Sequence, residues 1–198
     1  MAIALKALLG FAIVTAAEVA GLAGWLPLTE SGHPLAGFAA LVAGEAIEWS
    51  LLAFLIATSP VSVPLKEGRV RRAMAVTGLT SIIEAFLWVG WLALAGRVGL
   101  PFSMALLFVA MHLKHGVDMT VFAGRPYWSD LLSGPSLAAS LWEVGGAGAW
   151  LALTPSGQSV LGISVLAGCI SVEHFLQFRS AGILGPNIGR AAAARPGP

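Results

Sequence analysis

The sequence predicts an all-α integral membrane protein: six transmembrane helices, arranged as three pseudo-equivalent two-helix hairpins, with both termini cytoplasmic. Three observations lead there. Of the 198 residues 57% are hydrophobic and only 11% charged, whereas a soluble domain carries about 25% charged residues. Six stretches, 4–26, 35–58, 74–96, 101–123, 135–154 and 157–178, each approach or exceed the roughly 20 apolar residues that cross a bilayer as a helix. Glutamates inside these stretches recur with tryptophans at one fixed spacing.

The first stretch follows Lys6 and has the outline of a signal peptide, but it carries the same Glu–Trp spacing as the third and fifth, so it reads as a span. The second carries Glu45 and Glu48, three residues apart and therefore on one helix face. The connection after it holds Lys66, Arg69, Arg71 and Arg72. The third stretch carries Glu84, and the fourth carries His112, Lys114, His115 and Asp118. Arg125, Tyr127 and Trp128 follow. The fifth carries Glu143 with Gly145, Gly146 and Gly148, which permit close helix approach, and the sixth carries Cys169, Glu173 and His174.

Lys and Arg fall in the second and fourth connections and in the tail (Arg179, Arg190, Arg195), with none in the first and fifth and Arg97 the exception in the third. Basic residues mark the cytoplasmic side. Trp25, Trp91 and Trp150 are then expected at the outer interface, Tyr127 and Trp128 at the inner one. One six-helix transmembrane domain is expected over 1–182, multi-pass in the cell membrane, and 183–198, rich in Gly, Ala and Pro, reads as a disordered tail. The single cysteine excludes an intrachain disulfide, and a net charge of +1 gives nucleic acid no electrostatic attraction.

Displaced by 66 and 125 residues without gaps, the chain superposes on itself as repeats over about 12–58, 78–124 and 137–183. Glu18, Glu84 and Glu143 share a column. Thr15, Ser81 and Ser140 precede them by three residues, and Trp25, Trp91 and Trp150 follow by seven, each opening Trp-Leu-x-Leu. Further on, Glu48, Lys114 and Glu173 align, followed directly by Trp49, His115 and His174. Leu and Ala match by accident in apolar helices, but glutamate is rare inside a bilayer. The repeat predicts a pseudo-threefold ring with its charged residues near mid-membrane, since Glu18 lies about 10 Å below Trp25 at a rise of 1.5 Å per residue.

A charge at the bilayer centre costs about 2.5–3.5 kcal/mol even on a lenient scale, so these residues must face inward and compensate one another. Carboxylates and imidazoles on facing helices are the ligand set of carboxylate-bridged metal proteins. The expected metal ligands are Glu18, Glu48, Glu84, His112, His115, Glu143, Glu173 and His174, with Glu84 and Glu143 as the catalytic pair. Glu45, Lys114 and Asp118 are expected beside the ligands. Asp118, three residues after His115, would take the second ring proton of that imidazole. Lys114 would pair with Asp118, Glu48 or Glu173. Thr15, Ser81 and Ser140 would bond to their own helix or to a neighbouring Glu.

The function these residues predict is a membrane-embedded metal-binding protein, an oxidoreductase for a lipid-soluble substrate, with iron or manganese as the metal and copper or zinc left open. One alternative is a proton- or cation-coupled transporter or channel built on the same Glu and His residues. A second is a metal-free isomerase or cyclase, with a protonated Glu as acid and Trp88 and Trp142 stabilising a cation. Expected partners are membrane lipid and a small hydrophobic substrate or a cation, with no nucleic acid. An oligomer or a partner subunit is compatible with each reading.

Overall fold

The computed structural model describes residues 2–58, 67–122 and 130–180, with side chains over 8–55, 74–121 and 130–180. The described chain is all-helical: α1 Ala2–Glu30, α2 Pro34–Thr58, α3 Glu67–Val98, α4 Leu100–Phe122, α5 Gly134–Leu153 and α6 Ser159–Ser180, with one 3-10 turn, Thr154–Ser156, before α6. Lys66, Arg125, Tyr127, Trp128 and the tail 183–198 lie outside the described residues.

Among the described residues five helices are long and apolar enough to cross a membrane, over Leu8–Glu30, Pro34–Leu55, Met74–Val98, Leu100–Val121 and Ser159–Ser180. The remaining helix, α5, has 20 residues and includes Glu143 among several Gly and Ser, which lowers its apolarity below that of the others. Helix limits differ from the hydropathy limits where polar residues continue a helix. Thus α3 begins at Glu67 and includes Arg69, Arg71 and Arg72. Likewise α1 runs past Pro27 to Glu30. The Pro27 carbonyl accepts from Ser31 N at 2.9 Å, so the last turn stays closed around the proline.

Three connections are tight and share a device. Gly32, Gly99 and Gly157 adopt φ of 85°, 82° and 77°, a left-handed conformation that glycine takes at no steric cost and that ends a helix sharply. Gly32 lies between α1 and α2, Gly99 between α3 and α4, and Gly157 between α5 and α6. Packing follows chain order: α1 on α2, α2 on α3, and so on to α6, which returns to α1 and closes a ring. The α1–α2 seam is backbone on backbone. A Cβ at Gly44 would stand 2.7 Å from the Ala17 carbonyl oxygen and 3.0 Å from Gly21 Cα. At the α5–α6 seam a Cβ on Gly146 would stand 2.6 Å from Cys169 Cβ, while one on Gly145 would meet nothing. Of the glycines expected to permit close approach, Gly146 does so against α6 and Gly148 against Met104 of α4.

The distribution of side chains is that of a protein dissolved in lipid. Leu9, Phe54, Leu79, Ile82, Phe86 and Leu141 are more than half exposed, while Glu18, Glu84, His115, Glu143, Glu173 and His174 are at most 2% exposed. Water would invert this order; a hydrocarbon solvent produces it. Tryptophan placement differs from the sequence expectation. Trp25, Trp91 and Trp150 are only 2–4% exposed and join Trp88, Leu41, Leu107 and Leu166 in one apolar core. They turn inward because small neighbours leave room, as at Gly162, where an added Cβ would stand 3.1 Å from the Trp150 ring. The result is an apolar plug between the hairpin glycines and the polar residues two turns deeper.

Candidate metal centre

Each glutamate of the centre shares a helix face with a tryptophan or leucine of that plug, at spacings of three, four or seven, and Asp118 lies seven residues after Met111 of the same core. Seven carboxyl residues, Glu18, Glu45, Glu48, Glu84, Asp118, Glu143 and Glu173, are buried there with Lys114, His115 and His174.

His174 on α6 is the hub of one half. Its Nε2 faces Glu18 Oε2 at 3.2 Å, Glu48 Oε1 at 3.4 Å and Glu173 Oε2 at 3.5 Å. Its Nδ1 is held by Thr15 Oγ1 of α1 at 2.9 Å. His115 on α4 is the hub of the other. Its Nε2 faces Glu143 Oε2 at 3.1 Å and Glu173 Oε1 at 3.2 Å, and its Nδ1 meets Ser140 Oγ of α5 at 2.9 Å. The two oxygens of Glu173 therefore face different histidines, and Gln177 donates to Oε1 one turn further along α6.

Ser140 Oγ also lies 2.9 Å from the Ser136 carbonyl; with its proton donated there, it accepts from His115 and Nδ1 carries the hydrogen. Nε2 then presents a lone pair to two carboxylates unless a cation or a proton lies between them. Glu18, Glu48 and His174 each offer a ligand atom within 4.8 Å of one another, as do Glu18, Glu45 and Glu84. Several oxygens of the cluster have no hydrogen-bond partner, among them both of Glu45 and Glu48 Oε2.

Lys114 forms a third group. Its ammonium pairs with Glu84 on α3 and lies 3.7 Å from Asp118 Oδ2. Thr80 Oγ1 donates to Asp118 Oδ1 at 2.6 Å. The expected lysine partner Asp118 is thus present but secondary, and the main partner is Glu84, across the α3–α4 seam. Asp118 is also not the acceptor for His115, because the ring turns towards α5. Thr15 and Ser140 serve the imidazoles rather than a glutamate, although Ser140 also bonds to its own helix as expected. His112 sits at the edge: Nδ1 is 3.4 Å from Ser140 Oγ, the ring stacks on Phe108, and Nε2 has no hydrogen-bond partner. Trp142, expected near the centre, is 48% exposed on the outside, whereas Trp88 is fully buried.

Sequence reading overlooked Gln177 and Thr80 as carboxylate partners. The one signal was spacing, since Gln177 lies four residues after Glu173 on the same helix face. No family model, curated protein or solved structure matches this chain.

Proposed function

We propose that this chain is a membrane-embedded metal-binding protein whose Glu/His centre oxidises or reduces a lipid-soluble substrate, with iron or manganese as the metal. The observation that carries the reading is the pair of imidazoles, each anchored at Nδ1 by a hydroxyl and aiming Nε2 at two or three carboxylate oxygens 3.1–3.5 Å away. Donors bound at about 2.1 Å to one ion lie about 3.0–3.4 Å apart in octahedral or tetrahedral arrangements. A hydroxyl or carboxylate on the far nitrogen is the usual device that orients a ligating histidine. His174, Glu18 and Glu48, whose ligand atoms lie within 4.8 Å of one another, would hold the metal, with His115, Glu143 and Glu173 as the further ligand candidates beside them. Such ions supply one-electron chemistry and Lewis acidity when bound. Charge supports the same reading: fully ionised, seven carboxylates exceed Lys114 and two imidazolium rings by four charges, an excess that burial in hydrocarbon does not tolerate without cations or protons.

The threefold repeat belongs to this proposal. His174 to Thr15 and His115 to Ser140 are the same contact, from an even helix to the next odd helix around the ring. At the third seam Trp49 takes the histidine position and donates to Thr77 Oγ1 and the Met74 carbonyl of α3 at 3.1 and 2.9 Å. On this basis the ring carries two competent seams and one modified seam. The proposal further takes α5 as a sixth span, places both termini on the cytoplasmic side and assigns the chain to the cell membrane. Cysteines introduced at 32 and 157 should then label only from outside intact cells.

A proton or cation pathway is the second reading, favoured by the row Asp118, Lys114, Glu84 beside Glu143. The apolar tryptophan plug above that row argues for an enclosed site. The test is thermal unfolding of chelator-stripped protein before and after adding manganese or ferrous iron. The proposal expects a concentration-dependent rise in Tm in the wild type and a markedly smaller one in Glu48→Gln and His174→Ala. An identical curve with and without metal would contradict it.

A further inference from the structure

The seam between α2 and α3 differs from the other two. A cavity of about 750 Å³ opens there, lined among others by Phe38, Trp49, Ala75, Gly78 and Phe86, with Glu45 as its one acidic residue. Its outer edge faces the surrounding lipid: Leu79, Ile82 and Phe86 are 56–61% exposed. Glu45 lies about 16 Å along α2 from Pro34, so the cavity reaches mid-membrane depth.

Glu45 is the feature that asks for a ligand. It is 3% exposed, neither of its oxygens has a hydrogen-bond partner, and it stands both on the cavity wall and within 4.8 Å of ligand atoms of Glu18 and Glu84. It therefore joins the cavity to the centre. A buried carboxyl without a donor is costly in an apolar surround, and a hydroxyl arriving from the cavity would relieve that. A carboxyl accepts such a bond whether or not it is protonated.

The walls favour a flat ring. Phe38 and Phe86 stand 5.6 Å apart, inclined at 47°. Trp49 is fixed by its two indole hydrogen bonds to α3 and packs over Gly78, where a Cβ would come within 3.0 Å of the indole. Rigid aromatic walls accept an offset or edge-on aromatic ring at small entropic cost. The remaining lining is aliphatic and suits a hydrocarbon tail.

We infer that the α2–α3 cavity binds an aromatic lipid bearing a ring hydroxyl, a phenol or hydroquinone with an aliphatic tail, entering sideways from the bilayer and donating its hydroxyl to Glu45. The inference names the substrate class of the proposed centre and rests on that reading for any chemistry at the ring, while binding itself is read independently of metal.

The experiment is saturation binding of radiolabelled 4-decylphenol to the full chain in lipid nanodiscs, with empty nanodiscs as blank. Decylbenzene, which differs by one hydroxyl, is the competitor, and elemental analysis is run on the same samples. Expected are saturable binding near one per chain and poor competition by decylbenzene. Affinity should fall by about tenfold or more in Glu45→Leu, the scale of a lost hydrogen bond to a carboxylate. Ala75→Trp, on the exposed rim, should lose binding while its metal content is unchanged, and it carries the test if Glu45→Leu does not fold. Equal competition by decylbenzene would make the cavity a site for acyl chains and overturn the inference, as would wild-type affinity in Glu45→Leu or in Ala75→Trp. Metal without binding would overturn this inference alone; binding without metal would overturn the proposed centre alone.

Discussion

Replacing Ser140 by alanine removes one oxygen and separates two accounts of His115. In the structure that oxygen accepts from Nδ1 at 2.9 Å and donates to the Ser136 carbonyl at 2.9 Å, with both side chains fully buried. Alanine leaves the Nδ1–H without an acceptor, a loss of about 1–3 kcal/mol for a buried donor. The helix itself loses little, since alanine favours it. If His115 is a metal ligand, the ring also loses its orientation, and such partners typically change metal affinity by about 10–100-fold. The assay is twofold: denaturant unfolding in detergent for stability, and competition with a calibrated chelator for affinity. Thr15→Val should behave in the same way through His174, whose Nδ1 it holds at 2.9 Å. Stability lost with metal affinity unchanged in both variants would make the histidines structural ion-pair partners and refute the reasoning.

Other consequences are equally direct. Lys114→Met strands Glu84 and Asp118 in the bundle; unfolding should show a loss of about 3–5 kcal/mol, partly restored by adding Glu84→Gln. Gly44→Ala forces a methyl against the α1 backbone and should cost about 1–3 kcal/mol, whereas Gly90→Ala, with open space at its Cβ, should change the same unfolding curve by less than about 1 kcal/mol. Trp142→Ala, on the outer surface, should leave fold, metal content and any turnover at wild-type level; a specific loss of turnover would revive the cation-stabilising role that its outward position denies.

Much of this arrangement is legible in the chain itself. Charge scarcity and apolar length locate the six helices, because lipid imposes the same requirement on every span. Identity of the buried set is legible too, because Glu, Lys and His in such stretches have nowhere to face but inward. Partnership is less so. That Thr15 meets His174 depends on α1 closing the ring against α6, a contact across 159 residues that no local spacing encodes. Lys114 is similar: its i+4 neighbour Asp118 is visible in sequence, but Glu84 wins because the α3–α4 seam brings it closer. The inward turn of Trp25, Trp91 and Trp150 was hidden for a different reason. An indole is favoured both at the lipid interface and in a packed core, and only the small residues on neighbouring helices decide between them. The cavity at Glu45 is lined by Trp49 and its neighbours from both helices, and its shape emerges only once α2 and α3 are placed side by side.

The central claim is that the carboxylates and imidazoles around Glu173 hold metal. Elemental analysis of protein purified in detergent, without added metal, tests it most directly. The account predicts iron or manganese in stoichiometric amount, and a sharp fall in Glu173→Ala protein that still folds. Metal-free protein that keeps its fold and activity in chelator would contradict it.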